Sequence, residues 1–158
     1  MGVAGAGKTT VGHVVASRLH VPFLDADNYH DPAAIALMRA GKPLDDALRT
    51  PWLQRVVEAT ERLDGRGFVL ACSALRRSYR DYLRSHITAA QFVHLAVDED
   101  SLRLRLRGRS GHFASADLLP SQLETLELDD DVVTVSGLGM PSEVASRVLA
   151  VIAPGPAR

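Results

Sequence analysis

At 158 residues and 17.0 kDa the chain is sized for one domain with a real core and is too short for two comfortable ones. A hydrophobic content of 46% and a charged content of 23% exclude a largely disordered chain. A formal net charge of −1 excludes the basic excess of a general nucleic-acid or membrane-surface binder.

The chain opens on "MGVAGAGKTT", in which Gly2 to Thr9 match G-x-x-x-x-G-K-[ST]. Glycines at these places let successive backbone N–H groups curl around a phosphate, Lys8 can reach the β- and γ-phosphates, and the Thr9 hydroxyl can ligate Mg²⁺. The helix expected over Lys8–Leu19 presents its positive end to the same anion. Gly2, Gly5, Ala6, Gly7, Lys8, Thr9 and Thr10 are therefore the candidate nucleotide site. A P-loop joins a strand to a helix, and that strand normally supplies about five or six residues. Only Met1 precedes Gly2, so the expectation is that Met1 is not the natural start and that roughly six or more residues rich in Val, Ile and Leu come before it.

The next strand candidate, "VPFLDA", carries Asp25, with Asp27 two positions on. Alternation in a strand would point both carboxylates the same way, and the carboxyl ends of strands in open α/β sheets line the ligand crevice. One acid could hold a Mg²⁺-bound water while the other accepts a proton from a substrate hydroxyl; the plainer alternative is a strand end with a capping aspartate. His30 is either a substrate ligand or a solvated loop histidine. After a helix over Pro32–Ala40, the stretch "PLDDALRTPWL" predicts a helix begun by proline, Pro51–Leu63, with Arg49 at the junction before it. Arg49 could grip a carboxylate in a bidentate fork, although the residues alone favour an ion pair with Asp45 or Asp46.

The strand "GFVLACS" contains the lone cysteine, Cys72, in an apolar setting that predicts a buried structural thiol. A single cysteine allows no intrachain disulfide and fits a reducing, cytoplasmic compartment. Ser73 ends that strand, and a basic helix over Arg76–Arg84 follows, bringing Arg76, Arg77 and Arg80. Beyond the strand "QFVHLAV", a helix over Glu99–Leu106 leads into Arg103, Arg105, Arg107 and Arg109, of which Arg105 and Arg109 share a face. The long polar segment "SGHFASADLLPSQLETLELDDD" reads as a lid, or else as a surface helical hairpin. The strand "DVVTVSG", a helix over Pro141–Ile152 and a frayed "APGPAR" tail complete the chain. Alternating short apolar runs and amphipathic stretches give an α/β class with a parallel sheet, in one domain over residues 1–158.

Taken in order, "MGVAGAGKTTVG", "FLDADNYH", "GKPLDDALRTPWL", "ACSALRRSYRDYLR" and "RSGHF…LLPSQLETLE" make the chain resemble, over essentially its whole length, the gluconokinases, small P-loop kinases of the shikimate kinase and nucleoside monophosphate kinase type. The resemblance implies a three-layer fold with the sheet order 2-3-1-4-5, a truncated first strand, a lid at about residues 108–128, and a homodimer. It also implies transfer of the γ-phosphate of ATP, with Mg²⁺, to the 6-hydroxyl of D-gluconate. Carried over by motif, Lys8 and Asp27 are catalytic, Thr9 and (through water) Asp25 face the metal, and Asp27, His30, Arg49, Arg76, His112 and Gln122 face the acceptor. Arg105 and Arg109 become lid-side groups that stabilise charge on the moving phosphoryl. The chain departs from the family pattern at Asp31, Ala34, Leu37, Leu48, Ala114 and Ser115, several of them on the acceptor side. Two other functions fit the same residues: a related kinase for another sugar acid, polyol or nucleotide acceptor, and a nucleotide-binding protein without catalysis.

Overall fold

The computed structural model describes residues 1–63, 65, 67–108 and 116–152. In chain order the elements are α1 (Lys8–Leu19), β1 (Phe23–Asp25), a 3₁₀ turn (Ala26–Tyr29), α2 (Pro32–Arg39), α3 (Asp46–Glu61) and β2 (Val69–Ala71). Then come α4 (Arg77–His86), β3 (Phe92–Ala96), α5 (Glu99–Arg107), a second 3₁₀ turn (Ala116–Leu118), α6 (Leu119–Thr125), β4 (Val132–Ser136) and α7 (Pro141–Val151). Among the described residues no helix is long and apolar enough to cross a membrane.

The sheet departs from the expected single ladder. β1 pairs in parallel with β2, from Phe23 opposite Val69 to Asp25 opposite Ala71. β3 pairs in parallel with β4, from Phe92 opposite Val132 to Ala96 opposite Ser136. Met1 and Gly2 bond to both pairs: the Met1 amine donates to the Val93 carbonyl at 2.6 Å, the Leu95 N–H to the Met1 carbonyl at 3.1 Å, and the Gly2 N–H to the Ser73 carbonyl at 3.2 Å. The order β1, β2, Met1–Gly2, β3, β4 is thus the 2-3-1-4-5 arrangement with two residues in the central place. The chain turns at once after them, Ala6 N–H donating to the Val3 carbonyl at 3.3 Å, so no longer ladder forms.

Two helix starts also differ from expectation. α3 begins at Asp46, because the Asp45 side chain accepts the Leu48 N–H and caps it, so Pro51 lies inside the helix. There it removes one ladder donor, and Arg49 is a first-turn helical residue rather than a junction residue. α4 starts at Arg77, with Arg76 as its cap.

Three apolar clusters hold these elements. The largest joins Val11 and Val15 of α1 to Leu95, Val135, Leu102 and Val144, uniting α1, α5, α7, β3 and β4. A second packs Trp52, Val56 and Val57 of α3 against Tyr79 and Leu83 of α4 and against Cys72. Cys72 is buried as expected, and burial pushes its thiol up to about 11, so it is a packing group at neutral pH. The third and smallest consists of Ala34, Met38, Leu44 and Leu118, with Ile35, Leu37 and Leu48 packed on it.

Candidate active site

The phosphate loop takes its shape from glycines held in the left-handed region, Gly5 at φ 82° and Gly7 at φ 94°. A Cβ on Gly5 would lie 3.2 Å from Leu106 Cγ and 3.3 Å from the Leu102 carbonyl, so a side chain there would be both strained and crowded. Gly7 is the N-cap of α1 and aims the positive end of that helix at the loop. Other elements pin the loop from outside. The Gln122 Oε1 of α6 accepts the Ala4 N–H at 2.7 Å. Arg105 of α5 donates to the Gly5 carbonyl at 3.3 Å and to the Gly137 carbonyl at 3.1 Å. Lys8 Nζ donates to the Val3 carbonyl at 3.0 Å, across the mouth of its own loop.

The two acids do different work. β1 ends at Asp25 and the chain turns into 3₁₀ geometry, so Asp25 and Asp27 do not alternate along a strand as expected. Asp25 is the cap of that turn: its Oδ1 accepts the Asp27 N–H at 3.0 Å, and its Oδ2 accepts the Thr9 hydroxyl at 2.7 Å. The same carboxylate therefore ties the metal-side threonine to the backbone that carries Asp27. His30 Nε2 lies 3.8 Å from Asp27 Oδ1, and its side chain is 6% exposed, which rules out the solvated loop histidine. It stacks on Trp52 at 4.5 Å between ring centroids and 6° between planes. Trp52 is itself fixed by its indole N–H, which donates to the Ala26 carbonyl at 2.7 Å. Burial lowers the His30 pKa to about 4; Asp27 opposes the shift, and Arg49 and Arg55 reinforce it. The imidazole is neutral at pH 7.

Arg49 makes neither of the ion pairs with Asp45 or Asp46 that its neighbours suggested. Its Nε donates to the Leu44 carbonyl at 2.9 Å, and its guanidinium carbon lies 5.5 Å from the centroid of the Tyr79 ring. Asp46 instead accepts Arg76 at 3.1 Å and the Tyr79 hydroxyl. Arg80 is fully buried and structural: it grips Asp131 at 2.8 and 3.0 Å and donates to the Ala74 and Leu75 carbonyls.

These groups surround one cavity of about 500 Å³. Of the expected nucleotide residues, Gly5, Ala6, Gly7, Lys8, Thr9 and Thr10 line it; so do Asp27, His30 and Arg49, with Arg105 and Gln122. Gly2, Asp25 and Arg76 stand outside the lining: Gly2 N–H is used at the sheet seam, Asp25 is bonded behind Thr9, and Arg76 is drawn to Asp46. Arg109, His112, Ala114 and Ser115 lie outside the described residues. Sequence reasoning missed Trp52 and Tyr79 as supports of the site and the apolar wall of Met38, Leu44 and Leu118. For Trp52 a signal existed, since a lone tryptophan in an apolar-periodic helix next to the site is a natural platform.

The chain matches the family model described as shikimate kinase over residues 4–128. It is 45% identical to the gluconokinase of Gluconobacter oxydans, over 94% of this chain and 86% of that protein. It is 39% identical to the thermoresistant gluconokinase of Escherichia coli, over 94% and 89%. A solved gluconokinase from Sinorhizobium meliloti superposes with a TM-score of 0.81 at 41% identity, covering 95% of this chain and 87% of that one. Shikimate kinase from Aquifex aeolicus superposes at 0.59 with 17% identity over 95% and 91%, a likeness of fold alone.

Proposed function

The chain belongs to the gluconokinase family, within the shikimate kinase type of P-loop proteins, and from that membership we propose that it transfers the γ-phosphoryl group of ATP to the 6-hydroxyl of D-gluconate, releasing 6-phospho-D-gluconate and ADP. One observation carries the reading: the phosphate loop and Asp27, His30 and Arg49 line one and the same cavity. An anion cradle in one cavity with an acid, a neutral imidazole and a guanidinium suits an acceptor that has both hydroxyls and a carboxylate.

In this reading Gly5 to Thr10 hold the phosphates, and Lys8 and Arg105 face the charge that spreads over the phosphoryl oxygens in flight. Asp27 accepts the proton of the attacking hydroxyl, and His30, neutral and held flat on Trp52, hydrogen-bonds the acceptor. Arg49 takes the carboxylate. Arg109 and His112 belong to the lid side of this scheme, and Gln122 joins that side to the loop through Ala4. The residues present fit Mg²⁺, because the Thr9 hydroxyl stands at the loop with a carboxylate 2.7 Å behind it. Bound Mg²⁺ would supply charge neutralisation between the β- and γ-phosphates, with Thr9 as a direct ligand and Asp25 acting through water. A single kinase domain over residues 1–158, with a lid at about 108–128, a cytoplasmic homodimer and Arg76 as a further acceptor ligand complete the proposal.

The test is acceptor-dependent ADP release across a panel of sugar acids and polyols. Release with gluconate and Mg²⁺·ATP is the expected result. Release only with another acceptor, or nucleotide binding without turnover, would overturn it.

A further inference from the structure

We infer that Tyr79, locked by Asp46, is the positioning residue for Arg49, setting the plane in which that guanidinium meets the acceptor carboxylate. The inference rests on the functional reading above, in which Arg49 is the carboxylate ligand. Among the described residues the Arg49 guanidinium makes one hydrogen bond, from Nε to the Leu44 carbonyl at 2.9 Å. Its terminal nitrogens have no hydrogen bond to a described residue, so their orientation depends on what the guanidinium lies against. That surface is the Tyr79 ring, 5.5 Å away at its centroid. The ring cannot follow a wandering arginine, because Tyr79 is 7% exposed in the second apolar cluster and its hydroxyl donates to Asp46 Oδ1.

The charges are arranged to leave Arg49 available. Asp46 and Arg49 are three residues apart on α3, a spacing that puts them on one helix face and would ordinarily pair them. Asp46 is occupied instead by Arg76, through contacts of 3.1 and 3.2 Å, and by Tyr79. Arg76 also approaches the Tyr79 ring, at 5.8 Å. Two guanidiniums thus share one ring and one carboxylate: the carboxylate hydrogen-bonds Arg76 and acts on Arg49 only through space, and Arg49 is the one that lines the cavity.

The experiment compares apparent KM values for gluconate and for ATP in the full chain and in Tyr79→Leu, Tyr79→Phe, Asp46→Asn, Arg49→Lys and the double variant Arg49→Lys/Tyr79→Leu. Tyr79→Leu removes the ring and should raise the gluconate KM by ~10-fold with the ATP KM unchanged. Tyr79→Phe keeps the ring and should recover most of that loss. Asp46→Asn alters a side chain that is 65% exposed and leaves the core intact, so it reports even if Tyr79→Leu fails to fold; a rise of ~3-fold is expected. Once Arg49 is lysine, Tyr79→Leu should add little, since paired sites are not additive. An unchanged gluconate KM in both Asp46→Asn and Tyr79→Leu, a Tyr79→Phe loss as large as that of Tyr79→Leu, or full additivity with Arg49→Lys, would overturn the inference. Absence of gluconate-dependent turnover in the unaltered chain would instead overturn the functional reading, and the inference with it.

Discussion

Asp25 and Asp27 are chemically alike and two residues apart, yet their surroundings assign them separate tasks. Both oxygens of Asp25 are engaged, one by Thr9 and one by the Asp27 N–H, whereas Asp27 lines the cavity. Asp27→Asn keeps the shape but cannot take a proton, so turnover should fall by ~100-fold or more with the ATP KM nearly constant. Asp25→Asn weakens the hold on Thr9 and should raise the Mg²⁺ concentration needed for half-maximal rate. A Mg²⁺ titration of both variants checks the assignment, and the reverse pattern would exchange the roles. His30 gives a second residue-scale prediction, for stability. Its folded pKa is about 4 against 6.5 when unfolded, so between those values the unfolded chain binds more protons and stability must fall as pH falls. After a discount for residual solvent access, the loss from about pH 7.5 to about pH 5 should be roughly 1–2 kcal/mol. Urea midpoints should fall more steeply with falling pH in the unaltered chain than in His30→Gln, which keeps other buried titrating groups such as His94; equal pH slopes would refute it.

α4 is held to the chain before β4 by charges, and this is where the basic cluster of the sequence is used. Arg80 is fully buried between Asp131 and the carbonyls of Ala74 and Leu75, and Arg84 adds a contact of 2.8 Å to the same carboxylate. The hydrogen bonds from Arg80 first, and then those from Arg84, hold the Asp131 carboxyl down at about 2. Arg80→Leu takes two hydrogen bonds from that carboxylate, which keeps Arg84, and removes the side-chain partner of the Ala74 carbonyl, so it should cost ~2–4 kcal/mol by urea unfolding. The contribution of Asp131 is present above its unfolded pKa of 3.8 and is lost as pH falls through about 2, so the variant, which keeps only Arg84 on that carboxylate, should also show a shallower acid-side slope. A loss under about 1 kcal/mol would show that the cluster is solvated and unimportant. None of this was readable in the sequence, because Arg80 and Asp131 are 51 residues apart. The P-loop was readable because its glycines, lysine and threonine act within one turn. The strands were readable from short apolar runs, although their ladders are shorter than the runs. The start of α3 was misread because Pro51 looks like a first-turn residue, while the Asp45 cap that begins the helix a turn and a half earlier is a weaker local mark. Nothing local reveals that Arg76 pairs with Asp46, 30 residues before it, and stands outside the cavity lining.

The three apolar clusters meet at the cavity, and this makes ligands part of the architecture. Val11, Leu75 and Val144 bring the largest cluster to its wall, Trp52 brings the second, and Met38, Leu44 and Leu118 bring the third. Three departures from the family pattern, Ala34, Leu37 and Leu48, fall together in that third cluster, where apolar side chains join α2, the start of α3 and the stem that follows residues 109–115. With four buried residues it is the smallest of the three, and local opening is easiest where buried apolar contact is least. A ligand that touches all three walls binds only when all three are in place, so it stabilises the closed arrangement by RT ln(1 + [L]/Kd), or about 2.7 kcal/mol at a hundredfold excess over Kd. That increment is largest relative to the opening free energy of the weakest unit. Native-state amide exchange should therefore slow most in α2 and at Leu118 when Mg²⁺·ATP and gluconate are both added, and least in the β3–β4 ladder, whose exchange already requires the largest cluster to open. Gluconate alone should protect α2 more than α1, because its proposed ligands Asp27, His30 and Arg49 flank α2. Protection spread evenly over all helices would mean that the three clusters open as one unit and that the cavity couples nothing.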